Sequence, residues 1–209
     1  MNHIVFNLVR GPGFHIIRQA IDSETTNACL KYVQRSTSSL DDTVLERRVW
    51  NLHERKKYFN DIAFHPTVVE TFNTILGTKH KLASFGANRM MAGAQAQEPH
   101  TDYPYWGLSR PETLPMNINS SFTIACQSLV ALQDFTKSNG ATEVLPYSQL
   151  LCKYPDQSFD SGKIQLDLKA GDMVLYHSLL WHGAGNNKSN QDRCVLLGQY
   201  TAYFVKDMI

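Results

Sequence analysis

The 209 residues are 43% hydrophobic, enough to bury one substantial core, and no shift of composition divides them. Lysines and arginines number 20 against 19 aspartates and glutamates, so no field of one sign draws in a phosphate backbone or an anionic membrane, and nucleic acid is excluded as a default partner. No apolar run reaches the ~20 residues of a membrane span, and Cys29, Cys126, Cys152 and Cys194 are scattered without C-x-x-C spacing. With no secretory pattern at the amino terminus, the expected compartment is reducing and cytoplasmic.

In chain order, DSETTNACLKYVQRS (22–36) opens on cap residues and repeats Ala28, Leu30 and Val33, which predicts a helix with those three on one face. ERRVWNLHERKKYF (46–59) is charged and fits neither period. HPTVVETFNTILG (65–77) predicts a second helix, with Pro66 in the first turn, Val68, Phe72 and Leu76 four apart, and Gly77 at the carboxyl cap. After Gly77 the texture changes to short runs rich in Val, Ile, Leu, Tyr and Phe, separated by turn signals such as SNG, KAGD and GAGNN. Helices followed by a string of strands predict an α+β chain, mainly β, as a sandwich or barrel. One domain over 1–209 is expected, helical to about residue 77 and all strand from about 78.

Within EPHTDYPYWG (98–107), His100 and Asp102 stand two apart, a spacing that sends both side chains to one side of a strand. A functional ion needs a third ligand. His182 is favoured over His177 because Gly183 and Gly185 let the backbone approach a ligand closely. Two imidazoles and a carboxylate leave three positions open on ferrous iron, the face that oxygen chemistry requires. Arg193 heads an apolar strand eleven residues beyond His182, where an unpaired charge is costly, and a dicarboxylate cosubstrate would pair with it.

GANRMMAGAQAQEPHTD, LVALQDFTKSNGATEVLP and GDMVLYHSLLWHGAGNNKSNQDR occur in that order, and together they resemble the phytanoyl-CoA dioxygenase family of iron(II)- and 2-oxoglutarate-dependent oxygenases. The resemblance implies a double-stranded β-helix core (jelly roll, cupin-like) with flanking amino-terminal helices. It implies Fe(II) on His100, Asp102 and His182, the distal carboxylate of 2-oxoglutarate on Arg193, and O2 as the oxidant. Gln127, polar within an apolar strand, and Asn88 become candidate cosubstrate contacts, and Gln97 a contact to cosubstrate or substrate. Hydroxylation of an aliphatic carbon, with release of succinate and CO2, follows from the carboxylate at position 102, which halogenating relatives lack.

Tyr103, Tyr105 and Trp106 read either as a substrate wall or as loop packing. Arg89 and Arg110 read either as partners of an anionic substrate or as surface ion pairs. With Gln97, Asn117 and Asn119, these residues suit a small polar metabolite. His177 is expected to be a core histidine bonded to backbone, and Tyr176 and Trp181 core aromatics. The rival reading is a non-catalytic jelly-roll module that binds a metal or ligand without turnover. A zinc hydrolase leaves Arg193 unexplained and lacks the H-E-x-x-H helix.

Overall fold

The computed structural model describes residues 2–41, 43–102 and 120–206. Its first elements are α1 (His3–Val9) and strand β1 (Phe14–Ile17), followed by α2 (Ser23–Ser36), whose amino end is capped by the Asp22 carboxylate accepting from Thr25 N at 2.9 Å. The buried stripe of α2 is Thr26, Cys29 and Val33, so the predicted face is rotated and Ala28 and Leu30 lie half-buried at its flanks. The segment that fitted neither period holds both periods in succession. It forms strand β2 (Glu46–Trp50), then α3 (Leu52–Arg55) and α4 (Lys57–Ala63).

Helix α5 (Pro66–Leu76) follows the sequence prediction. Pro66 occupies its first turn, Val68, Phe72 and Leu76 are buried, and Gly77 ends it at φ +93, a conformation that favours glycine. Each of those apolar side chains contributes roughly 1.5–3 kcal/mol on burial.

The remaining strands are β3 (Lys81–Met90), β4 (Ala125–Ala131), β5 (Thr142–Val144), β6 (Ile164–Gln165), β7 (Met173–His177), β8 (His182–Ala184) and β9 (Arg193–Thr201). A six-stranded antiparallel sheet has the order β1-β7-β4-β9-β3-β2, and a three-stranded sheet the order β6-β5-β8. This is the jelly-roll architecture. The stretch before residue 78 is not only helical, because β1 and β2 form the two edges of the larger sheet.

Two apolar clusters lie on opposite faces of that sheet. One joins Leu8, Val33, Phe59 and Phe72 to the Cys126, Leu175, Leu196 and Tyr200 face. The other joins Leu129, Val174 and Val195 to Val144 and Leu166 of the region around the smaller sheet. The cavity opens on this second face. Among the described residues no helix is long and apolar enough to cross a membrane, and all four cysteines are free.

Candidate metal centre

Residues 97–102 run beside β8 as an extra, irregular strand. His100 N donates to His182 O at 2.9 Å and His182 N to His100 O at 3.0 Å, while Gln97 N reaches Ala184 O and Asp102 N reaches Ser178 O, each at 2.9 Å. This reciprocal pairing sets the two histidines directly opposite each other, and the two-residue period brings Asp102 to the same side. The glycines act differently from expectation. A Cβ on Gly183 would stand 3.1 Å from Gln97 O and one on Gly185 3.3 Å from Ala141 O, so the close approach they permit is to neighbouring backbone.

One ligand atom from each of His100, Asp102 and His182 can be chosen so that all three lie within 4.8 Å of one another. His182 Nε2 is 3.3 Å from Asp102 Oδ2, and His100 Nε2 is 4.0 Å from Asp102 Oδ1. Nδ1 of His100 lies 2.8 Å from Glu98 O and Nδ1 of His182 lies 2.9 Å from Leu180 O. A carbonyl only accepts, so both Nδ1 atoms carry a proton, and Nε2 is the atom of each ring that faces the carboxylate and that a metal would take in place of a proton.

Burial opposes the charge on Asp102, but the positive potential and hydrogen bond of His182, the potential of His100 and a hydrogen bond from Tyr176 outweigh it and hold the acid below its ordinary pKa. His100 is lowered by burial and by His182. Burial also lowers His182, but the Asp102 charge and hydrogen bond prevail and raise it. The donor set fits a divalent ion of borderline character with open positions.

Arg193 lines the same cavity. It is 2% exposed, it donates to Gly140 O at 2.6 Å, and its guanidinium lies 4.8 Å from the centre of the Phe135 ring. Nε is buried with no partner, and among the described residues no carboxylate lies within ion-pair distance. Burial pulls the pKa down to about 10. The turn beneath it requires glycine, since Gly140 has φ +76 and a Cβ there would meet Met90 Sδ at 2.6 Å. A buried cation whose remaining donors face a cavity is a place for an anion.

Gln127, Asn88 and Gln97 also line this cavity. Gln127 Nε2 donates to Ser178 Oγ at 3.3 Å, and Asn88 Nδ2 to Glu46 Oε1 at 3.2 Å, leaving Asn88 Oδ1 buried without a partner. Gln97 is clamped, donating to Glu46 Oε1 and accepting from Ala184 N at 3.1 Å. Arg89 does not reach the site. Alternation along β3 sends it to the helical face, where it pairs with Asp192 and donates to Gln34 O at 3.1 Å and Thr37 Oγ1 at 3.2 Å. Tyr103, Tyr105, Trp106, Arg110, Asn117 and Asn119 lie outside the described residues.

His177 is the expected core histidine, with Nδ1 accepting from Leu179 N at 3.0 Å and Nε2 3.2 Å from Ser120 O. Trp181 is fully buried. Tyr176 is more than a core ring, because its hydroxyl bonds Asp102 and its ring packs edge-on against His182 at 5.1 Å. Sequence reasoning also missed Arg48 and Trp50, which line the cavity from β2. Two-residue alternation in ERRVW was the available signal. Arg47 and Val49 are buried on the helical side, so Glu46, Arg48 and Trp50 share the other.

A jelly roll that gathers two histidines, one carboxylate and a buried arginine in one cavity has the make-up of a mononuclear metal-dependent oxygenase. The chain belongs to the phytanoyl-CoA dioxygenase family, whose model matches residues 11–195. It is 28% identical over 166 residues to the dioxygenase af480 of Aspergillus fumigatus, covering 78% of this chain and 51% of that protein. It is 27% identical over 183 residues to the dioxygenase trt7 of Aspergillus terreus, covering 85% and 59%. The chain thus spans little more than half the length of these curated relatives.

Among solved structures it is similar to HygX from Streptomyces hygroscopicus, crystallised with nickel, 2-oxoglutarate and hygromycin B, with a TM-score of 0.78, 15% identity, and coverage of 100% of this chain and 90% of that one. It is also similar to SnoN, a non-heme α-ketoglutarate-dependent epimerase from nogalamycin biosynthesis, with a TM-score of 0.72, 17% identity and coverage of 95% and 81%. At these identities the likeness is one of fold.

Proposed function

We propose that this chain is an iron(II)- and 2-oxoglutarate-dependent oxygenase that hydroxylates an aliphatic carbon of a small-molecule substrate and releases succinate and CO2. The observation that carries the reading is the pairing, in one cavity, of the His100, Asp102 and His182 cluster with the partnerless cation of Arg193. Arg47, a structural arginine of the same sheet, spends Nε, Nη1 and Nη2 on backbone carbonyls, whereas Arg193 leaves Nε without a partner.

Iron(II) at these three ligands, together with 2-oxoglutarate, supplies dioxygen activation and the oxidation of a C–H bond. Backbone carbonyls hold the Nδ1 protons of His100 and His182, so each ring would bind the ion through Nε2. Arg193 holds the far carboxylate of the cosubstrate and so sets its direction within the cavity. Arg48, whose charge is felt at His100, adds a second positive centre on the metal side that favours a dianion. Asn88, paired with Arg48 across β2 and β3, and Gln127, farther along the cavity, offer amide groups to the same space. HygX was crystallised with 2-oxoglutarate and a metal, which agrees with this assignment, and SnoN marks epimerisation as the competing outcome on the same fold.

The test is anaerobic titration of the metal-free protein with Fe(II) and 2-oxoglutarate, following the visible metal-to-ligand charge-transfer band, then admission of oxygen and assay of succinate. A band requiring both ligands, followed by succinate, is expected. A band without succinate in the presence of candidate substrates would establish a binding module, and no band in folded protein would overturn the assignment.

A further inference from the structure

Antiparallel register aligns the cavity-facing side chains of the larger sheet into rows across its strands. The row at the Arg193 end is charged. The row farthest from it is different in kind. Ser84 pairs with Gln199, Gln199 with Gln127, and Gln127 with Tyr176, so four polar side chains cross β3, β9, β4 and β7. A register shift between Leu82 and Ser84 brings Ser84 into this line.

Of the other amide side chains, Gln133 just beyond β4 is spent on Asp192 O and Cys194 N, and Asn88 is half spent, its Nδ2 on Glu46 and its Oδ1 without a partner. In the far row, Ser84 Oγ and the Gln199 carboxamide have no partner among the described residues. Gln127 spends only its 3.3 Å bond to Ser178 Oγ, and its carbonyl oxygen is free. Tyr176 alone is fully engaged, on Asp102, which ties this row to the metal centre. Unspent donors and acceptors on a cavity wall hold water until a ligand with matching groups displaces it.

The adjacent row is apolar. Leu197 and Leu129 face the cavity, and at Gly86 the missing side chain is replaced by the indole of Trp50, since a Cβ there would stand 2.7 Å from Trp50 Cε3. Trp50 remains 45% exposed, with the Arg48 guanidinium 5.9 Å from the centre of its ring. Neither row holds an ionisable side chain other than Tyr176. Three strand spacings separate Tyr176 from Ser84, about 14 Å.

From this we infer that the substrate of the proposed oxygenase is a neutral, flat, multi-ring molecule. Its ring face lies on Trp50 and Leu197, and a hydroxyl or carbonyl at the end remote from the oxidised carbon bonds Gln199 and Ser84. The inference rests on the oxygenase reading and narrows its substrate class, because these two rows carry amides, hydroxyls and apolar surface, the nearest cation being Arg48 in the next row on the metal side. Hydrogen bonds to polar groups that a bound ligand would seal from water discriminate against an analogue lacking the matching group.

The experiment uses the full chain loaded anaerobically with Fe(II) and 2-oxoglutarate. The probes are neutral steroid, flavonoid and anthraquinone alcohols or ketones, the same ring systems lacking that oxygen, their carboxylated counterparts, and L-proline. Perturbation of the charge-transfer band gives the affinity of each. The neutral oxygenated compounds are expected to bind at least tenfold more tightly than the carboxylated or deoxygenated ones. Gln199→Leu should weaken the oxygenated members about tenfold and change the deoxygenated ones less than twofold, with Ser84→Ala giving the same selectivity if the first variant fails to fold. Tighter binding of the acids or of L-proline, equal effects of Gln199→Leu on both ring series, or silence of all the neutral ring compounds would overturn the inference. If the band never forms with Fe(II) and 2-oxoglutarate alone, it is the oxygenase reading that has failed.

Discussion

The two faces of the six-stranded sheet are built from the same strands and have opposite chemistry. On the helical face polar groups are spent, as where Arg89 meets Asp192, Gln34 and Thr37. On the cavity face they are held in reserve, as at Arg193 Nε and Asn88 Oδ1. Asn88 and Arg89 are neighbours in sequence and lie on different faces, and so are Tyr176 and His177. Strand alternation therefore lets adjacent residues serve stability and ligand binding separately, and the cavity face carries the cost of its unpaired groups.

The sharpest way to break this contrast is Arg193→Met. A buried guanidinium without a carboxylate is a burden on the metal-free protein, and replacing it with an apolar side chain beside Met90 and Phe135 relieves that burden. The variant should lose at least ~100-fold in 2-oxoglutarate affinity while its Tm without ligands rises by about 2–4 °C. Calorimetry and titration together read both numbers. A lower Tm with affinity retained would place Arg193 among the structural residues and erase the contrast.

Tyr176→Phe removes only the hydroxyl that bonds Asp102. Loss of an outer partner of a metal ligand costs roughly 10–100-fold in metal affinity. Equilibrium dialysis with Fe(II) or Co(II) should show that loss without a change in fold, and an unchanged affinity would return Tyr176 to the role of a core ring.

Much of this division was legible in the sequence, and the misses share a cause. The period of α5 and the H-x-D spacing are local signals, and both led to the right elements. Arg89 was left open between substrate and ion pair because facing depends on which sheet face is covered, a fact set by helices distant in sequence; Tyr176 is the expected core aromatic, but its link to Asp102 had no local signal. The face of α2 was misjudged for a related reason, because the small and polar residues Thr26 and Cys29 fill the contact where Leu30 looked the better candidate. In ERRVW the usual pattern is inverted, with Arg47 buried on carbonyls at 3.0 Å from Thr37 O and Val44 O, so hydrophobicity alone could not assign its faces.

Arg89→Ala probes the stability face. It leaves Asp192 half-buried with a 3.3 Å contact from Gln34 and deletes two further bonds to α2 and the turn after it. A loss of about 2–3 kcal/mol in urea unfolding is expected, with affinity for 2-oxoglutarate changed less than twofold. A large change in affinity with stability intact would mean that Arg89 acts on the cavity across the sheet.

The smallest effect tests the same face at His177, one residue from Tyr176. Burial pushes its pKa down to about 4, and the neutral ring accepts from Leu179 N while its Nε2 proton faces Ser120 O. The unfolded chain takes up this proton near pH 6.5, so between that value and about 4 the unfolded state binds more protons than the folded one. Stability from this group is therefore fully present above pH 6.5 and drains away as the pH falls towards 4. From pH 7 to pH 5 the loss amounts to about 2 kcal/mol. Urea midpoints at the two pH values for wild type and His177→Gln isolate it, because the other histidines titrate in both proteins and cancel in the difference. Equal pH dependence in the two would show that the ring gains its proton in place, and that this face tolerates a charge as readily as the cavity does.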